Sequence, residues 1–307
     1  MRKTCLNCVY ELAKKDPRVV FIGSDIGAGT LDAFKREFPD RFFMEGVGEA
    51  NIIGLAAGLA LNGKIVYINT LASFITRRCF EQVLLDLALH RARVRLIGSG
   101  GGLVYGPLGP THNPTEDIAV MRAVPGMTIA APADAEEMKR LMPQTLEVGG
   151  PVYIRLGKGG DPVVTSPEHG FRLGEPVLAR PGRDALLVST GIMLGPALKA
   201  AEELGAEGVG CGVLHVHTVK PLDAAALLRA AEGVPVIATV EEHSVTGGLG
   251  GAVAEALMEA GPGRVKKFRR LGLPDAFPDG YGSQAQLLER YGLTAGAIAE
   301  NIREMRR

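Results

Sequence analysis

The stretch Glu49–Asn69, EANIIGLAAGLALNGKIVYIN, contains the two patterns that decide the fold. Its first part, Glu49–Asn62, is rich in small and apolar residues and predicts a helix, whereas its last part, Lys64–Asn69, predicts a buried strand. The same alternation of short strands and helices continues along the whole chain. Such an alternation is typical of a parallel sheet with helices on both faces, which is the α/β fold class.

Further strands and helices precede and follow this stretch. In the first half of the chain the other predicted strands are Val19–Ser24, Val94–Gly98, Met127–Ala130 and Val152–Leu156. The other predicted helices there are Lys3–Lys15, Phe74–His90, Thr115–Ala123 and Asp134–Val148. In the second half the predicted strands are Ala185–Ser189, Gly212–Val216, Val234–Val240 and Val265–Phe268. The predicted helices there are Gly195–Leu204, Asp223–Ala231, Gly248–Ala260, Ser283–Tyr291 and Thr294–Met305.

Between the two halves, residues 157–184 are rich in turn-forming residues and show no long periodic run. We therefore predict two doubly wound α/β domains, residues 1–160 and residues 185–307, joined by a linker of residues 161–184. The length of 307 residues fits this division, because a domain has about 150 residues.

The composition excludes several classes of protein. The 34 lysines and arginines balance 34 aspartates and glutamates, so no net positive charge favours binding to nucleic acid or to an anionic membrane. No apolar run is long enough to cross a bilayer, and the first residues lack the pattern of a signal peptide. Four cysteines in a chain of this length are not a disulfide framework. We therefore expect a cytoplasmic protein with no nucleic-acid or membrane partner.

Several local patterns have structural explanations. Cys5 and Cys8 form an isolated C-x-x-C within a predicted helix, without the second ligand pair that a zinc site usually has. His215 and His217 share one face of a predicted strand, but no acidic residue or third histidine is near them in the sequence. The glycine clusters at 98–102 and 247–251 match neither the dinucleotide-binding pattern nor a P-loop. We predict no metal ligands in this chain.

Glu49 is the first residue of a predicted helix, where a carboxylate could simply favour the helix dipole. It is accompanied, however, by an ordered set of motifs. These are Met44–Asn51 (MEGVGEAN), Thr70–Phe74 (TLASF), Gly106–Asp117 (GPLGPTHNPTED), Tyr153–Leu156 (YIRL), Val219–Asp223 (VKPLD), Glu241–Ser244 (EEHS) and Gly247–Gly250 (GGLG). In this order and at these spacings the motifs resemble the pyrimidine-binding and C-terminal domains of the transketolase family of thiamine-diphosphate enzymes.

The resemblance implies a role for four residues near the cofactor. Glu49 is the catalytic carboxyl group that hydrogen-bonds N1′ of the aminopyrimidine, and Phe74 is the aromatic residue that packs on the pyrimidine ring. Leu71 stands where many relatives have another phenylalanine, which would make this wall of the site aliphatic. Asp25, after the first strand, matches an acidic residue near the cofactor and the subunit interface. From the residues alone, Phe74 could equally be a core side chain.

The resemblance also implies three substrate-binding residues. His112 matches a catalytic histidine that points at substrate oxygens. Arg155, near the end of a predicted strand, matches a ligand of the substrate phosphate, a role that suits the bidentate geometry of arginine. Arg2 falls where another phosphate-binding arginine occurs, although a residue at this position is also easily solvated.

Three positions depart from the family pattern. Leu108 stands where the family commonly has an aspartate that contacts a sugar hydroxyl. Gly100 replaces a histidine that helps to bind donor sugars, and Gly29 lies near the place of a phosphate-binding serine. The loss of these polar contacts changes substrate discrimination and predicts a donor that differs from ordinary sugar phosphates.

The diphosphate-binding domain of the family, with its G-D-G motif, has no counterpart in this sequence. The resemblance therefore implies the C-terminal subunit of a split transketolase, which is active only with a separate N-terminal subunit. Thiamine diphosphate would lie between the subunits, with Mg²⁺ or Ca²⁺ held mainly by the partner. We expect the helices Glu49–Asn62 and Phe74–His90 at subunit contacts, in a self-dimer that forms an α2β2 tetramer with the partner.

The implied reaction is transfer of a two-carbon ketol unit from a sugar donor to an aldose acceptor. Three alternatives stay open: the β subunit of a 2-oxoacid dehydrogenase, a relative of deoxyxylulose-phosphate synthase, and a non-catalytic partner subunit. The Pro-Thr-His and Lys-Pro-Leu-Asp motifs favour transketolase over the dehydrogenase. Glu49 and His112 argue against a non-catalytic subunit, whereas Leu108 and Gly100 keep that alternative open.

Overall fold

The computed structural model describes residues 1–23, 29–157, 159–261 and 267–307. Within these ranges the strands form two sheets. The first sheet contains β1 (Val19–Gly23), β2 (Phe42–Met44), β3 (Ile65–Leu71), β4 (Val94–Ser99), β5 (Thr128–Ala130), β6 (Val152–Leu156) and β10 (Thr218–Lys220). The second sheet contains β7 (Val177–Arg180), β8 (Ala185–Ser189), β9 (Cys211–His215), β11 (Val236–Ser244) and β12 (Lys267–Leu273).

Helices connect these strands and cover the sheets. In the first half of the described chain they are α1 (Arg2–Lys15), α2 (Asp32–Glu37), α3 (Glu49–Leu61), α4 (Ala72–Arg77), α5 (Phe80–Gln82), α6 (Asp117–Arg122) and α7 (Ala135–Gln144). In the second half they are α8 (Leu194–Ala206), α9 (Ala224–Ala231), α10 (Leu249–Glu259), α11 (Gln284–Arg290) and α12 (Ala295–Arg306). A π-helical segment, Val83–Leu89, follows α5, and a 3₁₀ turn, Gly106–Leu108, precedes α6.

The strand order confirms the predicted fold class of two doubly wound α/β domains. The first sheet runs β10-β5-β6-β4-β3-β1-β2 and is parallel except for β10, which pairs antiparallel with β5. The second runs β12-β11-β8-β9-β7, with β7 antiparallel to β9 at its edge. Each sheet therefore has a parallel centre, and both outlying antiparallel strands are short.

Alternate residues of a central strand enter different cores, as expected for a sheet that is covered on both faces. In β1, Val19 and Phe21 join one cluster of buried side chains, whereas Val20 and Ile22 join another. In β8, Leu186 and Leu187 likewise belong to two different clusters. The strands are thus buried on both sides, and their carboxyl ends are the places left for polar chemistry.

Three features differ from the sequence-based predictions. The stretch predicted as one helix, Phe74–His90, is divided into α4, α5 and the π-helical segment, with a break at Arg78 and Cys79. Strand β7 lies inside the range predicted as a linker and belongs to the second sheet. Strand β10 comes from the second half of the chain but completes the edge of the first sheet. The proposed domain limits themselves stay a prediction.

The described helices were also compared with the dimensions of a bilayer. None of the helices within the described ranges combines the length and the apolar character that a membrane span requires.

Candidate active site

Glu49 is the first residue of α3, directly after Gly48, and its side chain is almost completely buried. At this position the carboxylate lies at the positive end of the helix dipole. Its ionic partner is Arg78, whose Nη1 lies 3.4 Å from Oε2 of Glu49. A buried carboxylate whose cationic partner among the described residues is half-exposed is a polar group available to a ligand.

Phe74 lies close to this carboxylate, on α4. The guanidinium carbon of Arg78 lies 3.8 Å from the centre of the Phe74 ring, so Arg78 connects the ring to Glu49. The imidazole of His112 approaches the same ring edge-on, with a centroid distance of 5.2 Å. The structure therefore brings Glu49, Phe74 and His112 into one site, although the sequence separates them by dozens of residues.

Leu71 belongs to the same edge of the first sheet. It is the last residue of β3 and pairs in register with Ser99, the last residue of β4. Both strands therefore end at one level, and Leu71, directly before α4, is half-buried there. The role of Leu71 as an aliphatic wall of the site stays a prediction.

His112 lies in the loop between the 3₁₀ turn and α6, which we call the histidine loop (residues 109–116). The amides of His112 and Asn113 both donate to the carbonyl of Gly109, at 3.0 and 3.2 Å. Nδ1 of the imidazole hydrogen-bonds the hydroxyl of Thr111 at 2.8 Å. Leu108, at the departure from the family pattern, exposes 53% of its surface just before this loop.

Arg77, which the sequence analysis did not single out, holds the histidine loop against α4. Its Nη1 donates to the carbonyl of Pro110 at 3.0 Å, and its Nη2 donates to the carbonyl of Asn113 at 2.9 Å. The same guanidinium pairs with the carboxylate of Glu116 through Nε and Nη2. The sequence shows Arg77 in the run Ile-Thr-Arg-Arg. It could not show the partners of Arg77 in the histidine loop, because they are 33 to 39 residues away.

Arg155 is held by hydrogen bonds in the protein interior. Its Nε donates to Oδ2 of Asp117 at 2.8 Å, and its Nη2 donates to the carbonyl of Glu242 at 2.8 Å. Tyr153 also donates to Asp117, at 2.6 Å. Only 6% of the surface of Arg155 is exposed, and its contact with a substrate phosphate stays a prediction.

We call these residues, Asp117, Tyr153, Arg155, Glu242 and His243, the interdomain polar cluster. Glu242 accepts from the amide of Leu103 and from Gln284, at 2.9 and 2.8 Å. Burial raises the pKa of the Glu242 carboxyl to about 7, although Arg155 acts in the opposite direction. Burial also acts to lower the pKa of Arg155, but the neighbouring carboxylates and Tyr153 outweigh it and raise this pKa. The cluster joins the first domain to the second directly behind the histidine loop.

The structure describes the contacts or the backbone of three other positions from the sequence analysis, Arg2, Gly100 and Gly29, but not Asp25. Nη1 of Arg2 lies 3.4 Å from the hydroxyl of Tyr105. A Cβ at Gly100 would lie only 2.0 Å from the ring of Tyr105, and the backbone there has a φ of +80°. Tyr105 therefore fills the space where the family histidine would stand. Gly29 also has a positive φ, and Asp25 falls outside the described residues.

The two histidines interpreted as structural form a second buried polar group. Nε2 of His215 lies 3.0 Å from Oε2 of Glu137, which comes from α7 and was not apparent as a neighbour in the sequence. His217 stacks on Phe171, with ring centroids 4.2 Å apart. Burial lowers the pKa of His217 to about 4. Burial acts to raise the pKa of Glu137, but His215 and His217 outweigh it and lower this pKa to about 2.

Within the described ranges, no group of three or more histidine, cysteine or acidic side chains could hold a metal ion. Cys5 is buried against Met142, with a sulfur–sulfur distance of 3.6 Å, and burial raises the pKa of its thiol. Cys8, on the same helix, is partly buried and is also a free cysteine. Both are packed as the apolar residues that the sequence analysis expected.

Comparison with known proteins gives this geometry a family. Residues 1–160 match the model of the transketolase pyrimidine-binding domain, and residues 174–298 match the model of the transketolase C-terminal domain. The chain belongs to the transketolase family.

Individual members of the family resemble the whole chain. The 6-deoxy-6-sulfo-D-fructose transketolase subunit SqwH of Clostridium sp. (strain MSTE9) is 40% identical, over 99% of this chain and 94% of its own length. A 1-deoxy-D-xylulose-5-phosphate synthase of Heliobacterium modesticaldum is 36% identical over 97% of this chain, which corresponds to 46% of the synthase. A solved structure described as a split gene transketolase, inactive beta4 tetramer, superposes with a TM-score of 0.90 at 36% identity, covering 99% of this chain and 97% of the other.

Family membership implies dependence on thiamine diphosphate, and the site suits the pyrimidine end of this cofactor. The nearly buried carboxylate of Glu49 is a hydrogen-bond acceptor, and Phe74 offers an aromatic face beside it. A protonated ring nitrogen and a flat heterocycle are the groups that such a pair recognises. For the metal ion that accompanies the diphosphate, the described residues offer no group of three or more histidine, cysteine or acidic side chains.

Proposed function

We propose that the chain is the C-terminal subunit of a two-subunit, thiamine-diphosphate-dependent transketolase. In this enzyme it would take part in the transfer of a two-carbon ketol unit from a sugar donor to an aldose acceptor. The observation that carries the proposal is the convergence of Glu49, Phe74 and His112 at one edge of the first sheet. The similarity to a split transketolase structure over nearly the whole of both chains supports it.

Each of the three residues has a proposed task. When bound, thiamine diphosphate supplies the nucleophilic carbon for the reaction. Glu49 holds and moves the proton at N1′ of the aminopyrimidine, Phe74 orients the pyrimidine ring, and Leu71 excludes water on one side. His112, on the histidine loop, binds the substrate oxygens at the reacting carbons and takes part in proton transfer.

The proposed enzyme is completed by a separate N-terminal subunit. That partner would carry the diphosphate-binding domain and most ligands of Mg²⁺ or Ca²⁺, and we expect an α2β2 complex in the cytoplasm. Exposed leucines on α3 and on the π-helical segment support an interface there: Leu55, Leu61, Leu85 and Leu89. The relative described as an inactive beta4 tetramer indicates that a related subunit assembles with copies of itself and lacks activity in that form.

The proposed substrate is a sugar with an anionic group at its far end. The names of two relatives refer to such molecules, a sulfonated deoxyfructose and a deoxyxylulose phosphate. Leu108 and the space filled by Tyr105 at Gly100 argue for a donor with fewer hydroxyl contacts than ordinary sugar phosphates make. Arg155 and Arg2, the latter beside Tyr105, are the proposed cationic contacts from this chain.

A second candidate is a split form of 1-deoxy-D-xylulose-5-phosphate synthase. It is favoured by the similarity over 97% of this chain, which leaves the other half of that enzyme to a partner. The dehydrogenase and the non-catalytic subunit stay alternatives. The reaction itself distinguishes these possibilities, because a synthase requires a 2-oxoacid donor and a transketolase requires a ketose.

The test is reconstitution with an N-terminal subunit that contains the G-D-G motif, in the presence of thiamine diphosphate and Mg²⁺. We expect ketol transfer from ketose donors only with both subunits, and weak cofactor binding by this chain alone in isothermal titration. Tight Mg²⁺-dependent binding by the isolated chain would contradict the split site. Turnover of pyruvate but not of ketoses would replace transketolase by the second candidate.

A further inference from the structure

Arg77 makes hydrogen bonds to the backbone of the histidine loop in addition to its ion pair with Glu116. Its side chain is 32% exposed and lies at the end of α4. It donates to two backbone carbonyls, of Pro110 and Asn113, besides pairing with Glu116. The two carbonyls lie on either side of His112 in the sequence, so one guanidinium holds both arms of the turn that presents the imidazole.

Within the part of the chain that the structure describes, the imidazole of His112 hydrogen-bonds the side chain of its neighbour Thr111, which belongs to the same loop. It also contacts the ring of Phe74 edge-on. The turn itself is closed by bonds from His112 and Asn113 to Gly109, again within the loop. The position of His112 relative to the rest of the site therefore depends on the groups that hold the loop from outside.

Arg77 and Phe74 belong to the same helix, three residues apart, so they lie on neighbouring positions of its surface. The planar fork of a guanidinium can hold several acceptors in fixed directions, which an ammonium group cannot do. Through Arg77, the histidine loop is thus attached to the element that carries Phe74.

We propose that Arg77 is a positioning residue, which sets the distance of His112 from Phe74 and thereby aligns substrate with cofactor. The inference rests on the proposed function, in which His112 contacts substrate and Phe74 contacts the pyrimidine ring. A misplacement of about 1 Å can reduce catalysis by about 100-fold, so a loosened loop has a measurable effect. An exposed ion pair with Glu116 alone would contribute only about 0–1 kcal/mol and no activity.

The first arm of the test follows amide hydrogen exchange in the isolated chain. In Arg77→Ala we expect the amides of His112 and Asn113 to exchange about 10-fold faster or more, because the carbonyls of the turn lose their anchor. Glu116→Gln keeps both carbonyl bonds and should change this protection much less. Arg303→Ala removes a comparable exposed guanidinium, paired with Glu207 and Glu300, and serves as the control.

The second arm measures ketol transfer by the reconstituted complex. We expect Arg77→Ala to lower kcat/KM about 10- to 100-fold while the dissociation constant of thiamine diphosphate changes less than about 3-fold, because Glu49 and Phe74 are untouched. Arg77→Lys keeps the charge and most of the length of the side chain and is the variant to use if Arg77→Ala does not fold; it should recover little of the loss. Guanidinium ion below denaturing concentrations should restore part of the activity of Arg77→Ala and none in the control.

The outcomes separate the two levels of the proposal. Unchanged exchange at His112 and Asn113 in both Arg77 variants would overturn the role of Arg77 in holding the loop. Faster exchange with unchanged kcat/KM would overturn its role in aligning His112. Equal losses of kcat/KM in Arg77→Ala and Glu116→Gln would mean that Arg77 acts only through its ion pair with Glu116. Absence of ketol transfer in the wild-type complex overturns the proposed function, and with it the alignment, whereas the exchange arm still decides whether Arg77 holds the loop.

Discussion

Glu49 combines two properties that rarely occur together in a carboxylate, since it is only 5% exposed and its ionic partner, Arg78, can move into solvent. A carboxylate of this kind can exchange one partner for another without leaving the protein interior. Replacement by glutamine keeps the size and the acceptor oxygen of the side chain but removes its ability to give and take a proton.

We therefore expect Glu49→Gln to keep the fold and most of the cofactor affinity of the complex but to lose turnover. General acid–base contributions predict a decrease in kcat of about 10²–10⁴-fold. The rate at which the C2 proton of bound thiamine diphosphate exchanges, followed by NMR, should decrease with it. Exchange at the wild-type rate would show that Glu49 does not act on the cofactor, and unchanged thermal stability serves as the control for folding.

The buried groups around the two domains also predict opposite responses to pH. The pKa of His217 is lowered from 6.5 to about 4, so the folded chain binds fewer protons than the unfolded chain between these values. The stability that His217 contributes is therefore fully present above pH 6.5. As the pH falls toward 4, the free energy of unfolding decreases by on the order of 3 kcal/mol. The pKa of Glu242 is raised from 4.5 to about 7, so the folded chain binds more protons than the unfolded chain between these values. The stability that Glu242 contributes is therefore lost as the pH rises from 4.5 to 7.

Urea unfolding between pH 4 and 7 tests both pH dependences, when the free energy of unfolding of the wild type is compared with that of each variant. Relative to His217→Gln, the wild type should lose stability as the solution becomes more acidic. Relative to Glu242→Gln, which can still accept from Leu103, the wild type should lose stability as the pH rises. Parallel curves for wild type and variants would mean that these groups titrate normally in the folded chain.

The sequence predicted where some candidate residues lie in the fold, but not their long-range partners. The helix start at Glu49 and the loop of His112 before α6 followed from local patterns, whereas the roles of both residues came from the resemblance to the family and stay predictions. The sequence placed Arg155 at a strand end, but it could not show that Asp117 would take its guanidinium. For the same reason Glu137 was not recognised as the partner of His215, from which it is separated by 78 residues.

At the scale of elements, α3 presents two different faces. Ile52, Ile53, Ala56 and Ala57 are buried within the domain, so this face of the helix predicted at a subunit contact belongs to the core. On the opposite face Leu55 and Leu61 are exposed, and the adjoining π-helical segment exposes Leu85 and Leu89. Obligate interfaces bury on the order of 2,000 Å² or more and are rich in apolar side chains, which is the character of this second face.

We predict that this face carries the self-dimer. A charge at Leu85 or Leu89, as in Leu85→Glu or Leu89→Glu, should lower the self-association constant by at least about 10-fold, because it buries an unpaired carboxylate. Sedimentation velocity across micromolar concentrations measures the effect. Met258→Glu, at an exposed methionine on α10 of the second domain, is the matched control and should leave association unchanged. A wild-type chain that is monomeric with and without partner and cofactor would remove this interface.

Helices and strands with a strong local sequence pattern were predicted closely. Elements that form only because they pair with neighbouring strands were not predicted. The predicted helix Glu49–Asn62 ends one residue after the observed one, because small apolar residues and a glycine turn define it locally. Strands β7 and β10 are short edge strands, and pairing to β9 and β5 rather than their own sequence determines them. The π-helical segment keeps the apolar spacing of a helix, so periodicity could not show the break before it.

At the scale of the whole molecule, each domain depends on the other for part of its structure. Strand β10 follows the linker yet completes the first sheet, and Ser244 at the end of β11 donates to the carbonyl of Thr115 at 2.7 Å. The two-domain division of the sequence was correct as an architecture. Composition could not show how far the two parts would interlock, because interlocking depends on contacts between residues roughly 90 to 130 positions apart.

We predict that the interdomain polar cluster makes the domains a single thermodynamic unit. Separating them would break the bonds of Arg155 to the carbonyl of Glu242 and of the Leu103 amide to the Glu242 carboxylate, and hydrogen bonds to charged groups contribute about 1.5–3 kcal/mol each. Together with the pairing of β10 to β5, these contacts favour unfolding of both domains at once, in contrast to the loose coupling usual between domains. Scanning calorimetry should show one transition with an enthalpy of roughly 200 kcal/mol near 60 °C, for all of the chain at once. Two resolved transitions would mean that each domain melts on its own.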